Sequence, residues 1–488
     1  MPGMTRRSRL FETLDKRPSR SPAWWSRLVV CVVCCIVLNS LQTRVIAAEA
    51  ARPNILFVLT DDQRWDALGC MGNSNIRTPH LDELAAEGSI FRNMFCTTSI
   101  CAISRASFIT GQYERRHRIN GFGQPLSPEQ FQNTFVSRLR AVGYRCGIVG
   151  KWGLGGPPPV DQYDYWRGYA GQGRYYETRD KTQPIGVTGG GPHLTGRLGG
   201  QAVEFIESNP AGTPFLLQLY TKAAHCQDGD PWPFQPAEQY NSLYSDITIP
   251  PAAVSTPEDF AALPTFLQNS EARNRWVIRF ETAAKYQRSV KDYYRLVTGV
   301  DDVVGRLREV LRKQGLDQNT VIIFTSDNGF YLGEHGLAGK WYMHEESIRL
   351  PLLIYDPRLP KGKFVKSIDE LVLNIDIAPT ICELAGVAVP DVMQGTSLLP
   401  LIRGEATDWR DDFLYEHRFR HARIPMSEGV RTKRWKYTRY TSVSPVYEEL
   451  FDLATDSHET HNLAGDPQYA EQLAKLRARW QELTQSLE

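Results

Sequence analysis

Short apolar runs alternate with segments of helical periodicity along most of the chain. The first run, residues 55–59 inside PNILFVLTDD, is bounded by Pro-Asn before it and two aspartates after it. A continuous apolar run of that length predicts a strand covered on both faces. TPHLDELAAEG then predicts a helix, in which Thr78 can cap, Pro79 suits the first turn and Gly88 stops the element. TFVSRLRAVGYRCGIVG repeats the scheme: helix, Gly143, strand. Runs at 214–220, 321–325 and 351–355 predict further buried strands. A long helix is expected over 282–314, where Val300, Val303, Val304, Leu307, Val310 and Leu311 recur at helical spacing. Such stripes belong to core, and the alternation as a whole predicts an α/β layer fold.

Past SLLPLIRGE the pattern changes. VRTKRWKYTRY and YEELFDL alternate like antiparallel strands, and QYAEQLAKLRARWQEL reads as a closing amphipathic helix. These predict a smaller C-terminal α+β subdomain over 405–488, after a main domain over 49–404. At the other end, arginines up to Arg27 precede an apolar run at 28–41, and TRVIAAEA follows with small residues at Ala47, Ala48 and Ala50. The run is shorter than the ~20 residues a membrane span takes. Residues 1–48 therefore read as a cleaved signal peptide, which predicts a secreted or periplasmic protein with no stable membrane insertion.

Charge adds an exclusion: 56 basic residues stand against 55 acidic ones in 488, with no long run of one sign. Neither nucleic acid nor an anionic membrane is indicated as partner, so an anionic substrate must be met locally. Outside the leader the cysteines are Cys70, Cys96, Cys101, Cys146, Cys226 and Cys382, scattered too thinly for a disulfide framework and without zinc-ligand spacing.

Candidate chemistry sits just past the strands. One run ends in Asp61 and Asp62, another in Asp327 and Asn328. Ligands in open α/β sheets bind outside the carboxyl ends of strands, so both pairs can converge on one crevice. Carboxylates gathered there repel unless a hard cation lies between them, and oxygen ligands suit Ca²⁺ or Mg²⁺.

The stretch CAISRASFITGQY resembles the signature of the type I, formylglycine-dependent sulfatases of the alkaline phosphatase superfamily. PNILFVLTDDQRWDALGC, TSDNGFYLGEHGLAGKWYMHEESIRLPLLIYDP and the closing segments NIDIAPTICELAGVAVPDVMQGTSLLPLIRGE and YEELFDLATDSHETHNL are similar to further family blocks, in family order. The resemblance implies an alkaline-phosphatase-like sandwich: a central mixed, mostly parallel sheet flanked by helices, with an antiparallel sheet in the C-terminal subdomain. It implies one Ca²⁺ per chain on Asp61, Asp62, Asp327, Asn328 and the side chain derived from Cys101. Cys101 becomes the formylglycine nucleophile, made by a formylglycine-generating enzyme; Arg105, Lys151 and Lys340 neutralise the transferring group, and His225 donates the proton to the leaving alcohol. The expected reaction is hydrolysis of sulfate monoesters, of sulfated carbohydrate or aryl type.

Two positions depart from the family pattern. Ile103 stands where Pro or Ala is usual, and Gly153 stands where the family has a histidine that helps to expel sulfate. His335, His344 and Lys222 are the groups that could replace it. The loop GGPPPVDQYDYWRGYAGQGRYYETR has a composition suited to sugar recognition, with Trp166, Arg174, Tyr175 and Tyr176 as candidate contacts. The rival functions are a phosphomonoester or phosphonate monoester hydrolase on the same scaffold, and a non-catalytic binder of sulfated glycans.

Overall fold

The computed structural model describes residues 52–178, 191–360, 362–406 and 408–487. The expected leader, residues 1–48, and the end of the candidate sugar loop lie outside them. The strands that build the main sheet are β1 (Asn54–Asp61), β2 (Ser89–Phe95), β3 (Arg145–Lys151), β4 (Tyr165–Tyr169), β5 (Phe215–Ala224) and β6 (Thr320–Ser326). After the short pair β7 (Tyr331–Leu332) and β8 (Ala338–Gly339) come β9 (Arg349–Tyr355) and β10 (Ser367–Leu373). Eight of these order as β10-β2-β9-β6-β1-β5-β3-β4, and β9 alone runs against the rest. The sheet is thus mixed and mostly parallel, with β1 between β5 and β6 at its centre.

Alternation along β1 explains why its apolar run is unbroken. Ile55, Phe57 and Leu59 join a core with the helices Cys101–Thr110, Phe135–Ala141 and Ile377–Leu384. Leu56 and Val58 join a second core with Pro79–Glu87, Leu194–Glu207 and Ala283–Lys313. Both faces are covered, so both sets of side chains leave water, each worth roughly 1.5–3 kcal/mol when fully buried. The long helix starts where expected, with the Thr282 side chain accepting from the Lys285 N–H.

The helix Pro79–Glu87 starts as expected but is capped differently. Thr78 makes no side-chain cap bond; its hydroxyl instead donates to Asp82 at 3.1 Å. The free N–H groups of His80 and Leu81 are taken by the carboxylate of Asp301, on the long helix, at 3.3 and 2.7 Å. β4 also departs from expectation: part of the segment read as an ordered loop pairs in parallel with β3. Its side chains are half-buried or exposed, as an edge strand allows.

The C-terminal sheet is an antiparallel meander of β11 (Asp412–His417), β12 (Ser427–Thr432), β13 (Trp435–Tyr440) and β14 (Tyr447–Asp452). The helix Ala470–Ser486 packs on it through Leu473 and Leu476. Buried ion pairs tie this sheet to short helices of the preceding chain: Glu416 with Arg115 at 2.9 Å, and Lys436 with Glu345 at 2.9 Å. Among the described residues no helix is long and apolar enough to cross a membrane.

Candidate active site

The carboxyl ends of four adjacent parallel strands deliver the polar residues. β3 ends in Lys151, β5 leads into His225, β1 ends in Asp61 followed by Asp62, and β6 leads into Asp327 and Asn328. Because β9 runs antiparallel to β6, the segment joining them begins and ends at this same edge, and it carries Lys340. β2 also runs toward it, and the helix Cys101–Thr110 that follows starts with the cysteine in its first turn. All ten residues of that helix are buried.

The side chains meet as one network. Asp61 bonds Lys151 through Oδ2 and lies 3.7 Å from Arg105 Nη2. Arg105 Nε donates to Asp327 Oδ2 at 2.8 Å, and its Nη1 donates to the carbonyl of Lys151 at 2.8 Å. Asp62 Oδ1 receives Lys340 and, at 2.6 Å, Asn328 Nδ2. His225 Nε2 lies 3.6 Å from Asp62 Oδ2, while Nδ1 donates to the Cys226 carbonyl at 2.6 Å. Cys101 is buried within electrostatic reach of Arg105, Lys151 and Lys340. Every catalytic and metal residue expected from the sequence is therefore in one cluster.

Electrostatics show what the cluster can hold. Asp61, Asp62 and Asp327 oppose Arg105, Lys151 and Lys340, so the set is near neutral. Burial raises the Asp61 carboxyl, yet Lys151, His225, Lys340 and Arg105 outweigh it and hold it far below the usual carboxylate range. Asp327 goes the other way, pushed up to about 6 by burial and then by Asp61. Burial brings His225 down to about 4 against the pull of Asp62 and Asp61. Two buried oxygens, Asp61 Oδ1 and Asn328 Oδ1, have no hydrogen-bond partner. Orphaned hard oxygens beside mutually repelling carboxylates are what a divalent cation relieves, so this donor set fits calcium. Asp61, Asp62 and His225 each bring a ligand atom within 4.8 Å of the others.

The chain as a whole is similar to known proteins. The sulfatase family model matches residues 53–387, and a model of the C-terminal part of N-sulphoglucosamine sulphohydrolase matches 333–486. The chain belongs to the sulfatase family. It is 28% identical to an N-acetylglucosamine-6-O-sulfatase of Bacteroides thetaiotaomicron, over 88% of this chain and 85% of that one. It is likewise 28% identical to an arylsulfatase of Clostridium perfringens, over 87% and 93% of the two chains. A structure solved in complex with its substrate D-glucosamine-2-N,6-O-disulfate superposes with a TM-score of 0.76 at 25% identity, covering 89% of this chain and 98% of that one. The phosphonate monoester hydrolase of Agrobacterium radiobacter shares the fold, with a TM-score of 0.74 at 23% identity over 90% and 96%. As a family member, this sulfatase is a sulfuric ester hydrolase.

At Gly153, where the family resemblance implies a histidine, the space beside the backbone is already taken. Gly153 has φ +82°, and a Cβ there would stand 2.6 Å from Arg105 Cδ. Arg105 occupies the volume a histidine at 153 would start from. Of the candidate substitutes, His335 and His344 stack on each other at 4.7 Å and line a cavity of about 450 Å³ with Glu449 and Glu459. Lys222 is nearer the cluster: Lys151 and Asp61 both act on its charge, and burial holds its pKa down. Ile103 is buried with Ile100, Tyr331, Trp341 and Tyr342.

Three of the candidate sugar contacts face into the fold instead. Trp166 packs with Trp152 and Tyr163, and Tyr176 donates to the Pro236 carbonyl at 2.9 Å. Tyr175 is buried and donates to the carbonyl of His225 at 2.6 Å, so it positions that residue. Arg174 is exposed. The loop residue that does reach the cluster is Gln172, which sequence reasoning passed over: its Oε1 accepts from Lys151 Nζ at 2.7 Å and its Nε2 lies 3.9 Å from Cys101 Sγ. A lysine ammonium only donates, so the amide oxygen must face Lys151 and the NH₂ is left for residue 101.

Proposed function

We propose that this sulfatase removes sulfate from sulfated carbohydrates through a formylglycine made from Cys101, with one calcium ion on Asp61, Asp62, Asp327 and Asn328. When present, the hydrated aldehyde supplies the attacking hydroxyl, and calcium withdraws charge from the sulfuryl oxygens. The observation that carries the reading is the meeting of Cys101, Arg105, Lys151 and Lys340 with orphaned Asp61 and Asn328 oxygens at one buried point. A dication added to a near-neutral cluster leaves a net positive site, which attracts a sulfate ester anion. Arg105, Lys151 and Lys340 lie where they can neutralise the transferring group. His225 is held in one orientation by the Cys226 carbonyl, with Nε2 turned toward Asp62 and the cluster; donation to the leaving oxygen takes the doubly protonated ring, which the charges of Asp62 and Asp61 favour. The carbohydrate substrate rests on the printed names of the relatives, among them N-acetylglucosamine-6-O-sulfatase and an ulvan-active sulfatase of Formosa agariphila. Maturation by a formylglycine-generating enzyme and export on the leader complete the proposal.

Two measurements test it. Mass spectrometry of the peptide carrying residue 101, from protein made in its native host, is expected to show the aldehyde; a thiol throughout leaves the mechanism without its nucleophile. Matched assays with an aryl sulfate and an aryl phosphate are expected to favour sulfate, and dominant phosphate turnover defeats the reading.

A further inference from the structure

Two arginine-rich segments that this chemistry does not use lie against each other beside the nucleophile helix. One is ERRHRINGF, residues 114–122; the other is HRFRHAR, residues 417–423, which follows β11. The Arg418 N–H donates to Glu114 Oε2 at 3.3 Å, Arg115 holds Glu416, and the rings of Phe122 and Phe419 meet edge-on at 5.4 Å. The acids beside these arginines, Glu114 and Glu416, are buried, whereas Arg118, Arg418, Arg420 and Arg423 are exposed. Arg423 pairs with Glu271 at 2.6 Å and Arg418 with Glu416 at 3.2 Å. The side chains of Arg118 and Arg420 have no ion-pair or hydrogen-bond partner among the described residues. Phe122, in contact with Phe419, has 45% of its surface exposed.

Position gives this basic ledge its meaning. Phe419 packs on the cluster that contains Ile100, just before Cys101, and Ile103, two residues after it. From the other side, the Gly155 N–H donates to the Gln124 carbonyl at 3.1 Å, tying the Phe122 loop to the segment just after Lys151. The ledge therefore packs against the segments that carry Cys101 and follow Lys151, one part of it coming from the chain after the nucleophile helix and the other from the chain after β11.

We propose that the ledge binds a second anionic group of a sulfated oligosaccharide, with Arg118 and Arg420 on sulfate oxygens and Phe122 against a sugar face. Guanidinium presents paired donors to tetrahedral oxyanions, and an exposed ring supplies apolar area at little entropic cost. A chain of net charge +1 offers no general attraction for polyanions, so a local cluster selects a ligand with closely spaced charges. The proposal deepens the sulfatase reading by making the substrate multiply sulfated, and it is tested by binding alone.

The probe is a heparin-derived hexasaccharide, titrated by calorimetry into Cys101→Ala protein so that no turnover intervenes. Adding Arg118→Asn and Arg420→Ala is expected to weaken binding roughly 10- to 100-fold and to flatten its salt dependence. Asparagine is chosen because residue 118 has φ +60°. In protein that keeps Cys101, the same pair of changes is expected to leave aryl sulfate turnover within about twofold. Unchanged affinity, equal affinity for the desulfated hexasaccharide, equal affinity for an oligonucleotide of the same charge, or a parallel loss of aryl sulfate turnover overturns it. Tight binding by a protein that hydrolyses no sulfate ester leaves the ledge standing and defeats the sulfatase mechanism instead.

Discussion

Arg105 Nε and Asp327 Oδ2, 2.8 Å apart, lock the nucleophile helix to the end of β6. Neither group is solvated, and Asp327 is also repelled by Asp61, so the pair holds its place only as part of the whole network. Removing one member of such a network leaves its partner buried and unpaired, which costs more than the pair contributes.

Asp61 makes that cost measurable. Asp61→Ala leaves Lys151 without its acid and removes an orphaned oxygen, and about 3–5 kcal/mol of stability is expected to go with it. Added Ca²⁺ should stabilise the unaltered protein by about 2.7 kcal/mol at a hundredfold excess over Kd, and by nothing measurable in Asp61→Ala. Denaturant melts with and without Ca²⁺ check both; equal calcium stabilisation in the two proteins refutes the metal assignment.

Gly153 gives the opposite kind of variant, one that restores the family residue. A side chain at φ +82° with Cβ 2.6 Å from Arg105 Cδ forces Arg105 off Asp327. Gly153→His should therefore lose roughly 1–3 kcal/mol of stability and most activity, and Gly153→Ala should lose stability similarly. A gain of turnover in Gly153→His would show that Arg105 can yield.

Gln172 reaches residue 101 through its NH₂, and it can only donate there. Gln172→Ala removes bonds to a cation and to the nucleophile, so kcat is expected to fall roughly tenfold or more, with a smaller change in KM. Gln172→Glu should instead pair with Lys151 and place a negative charge against the entering sulfate, raising KM. Steady-state kinetics of the two variants side by side distinguish positioning from simple loss of packing.

How much of this was legible depended on burial. Strands covered on both faces read as unbroken apolar runs, so β1, β5, β6 and β9 and the acids after two of them were visible, and the resemblance supplied the rest of the cluster. β2 carries Arg92 and Asn93 on a partly exposed face, β4 lies at the sheet edge, and both escaped the pattern. Trp166 and Tyr175 were visible as aromatics, but a ring that pins a loop and a ring that meets a sugar have the same composition. Gln172 carried no signal at all, because its contacts exist only once the loop after β4 folds back over Lys151.

Asp301 couples the capping of a helix to pH. It caps Pro79–Glu87 in place of Thr78, and burial pushes its carboxyl up to about 7, with the His80 and Leu81 N–H groups pulling the other way. In the unfolded chain the group titrates near 3.8. Between those values the folded protein binds more proton than the unfolded one, so this residue lowers stability as pH rises from about 4 to about 7, and the penalty is complete above that. Asp301→Asn keeps an oxygen for the helix N–H groups and removes the titration. It should therefore flatten the fall in stability over that window and gain roughly 1–3 kcal/mol at pH 8 relative to its effect at pH 4. Chemical denaturation of both proteins at the two pH values checks it: parallel pH profiles would mean that Asp301 is already ionised in the fold, its charge held by the helix terminus it caps.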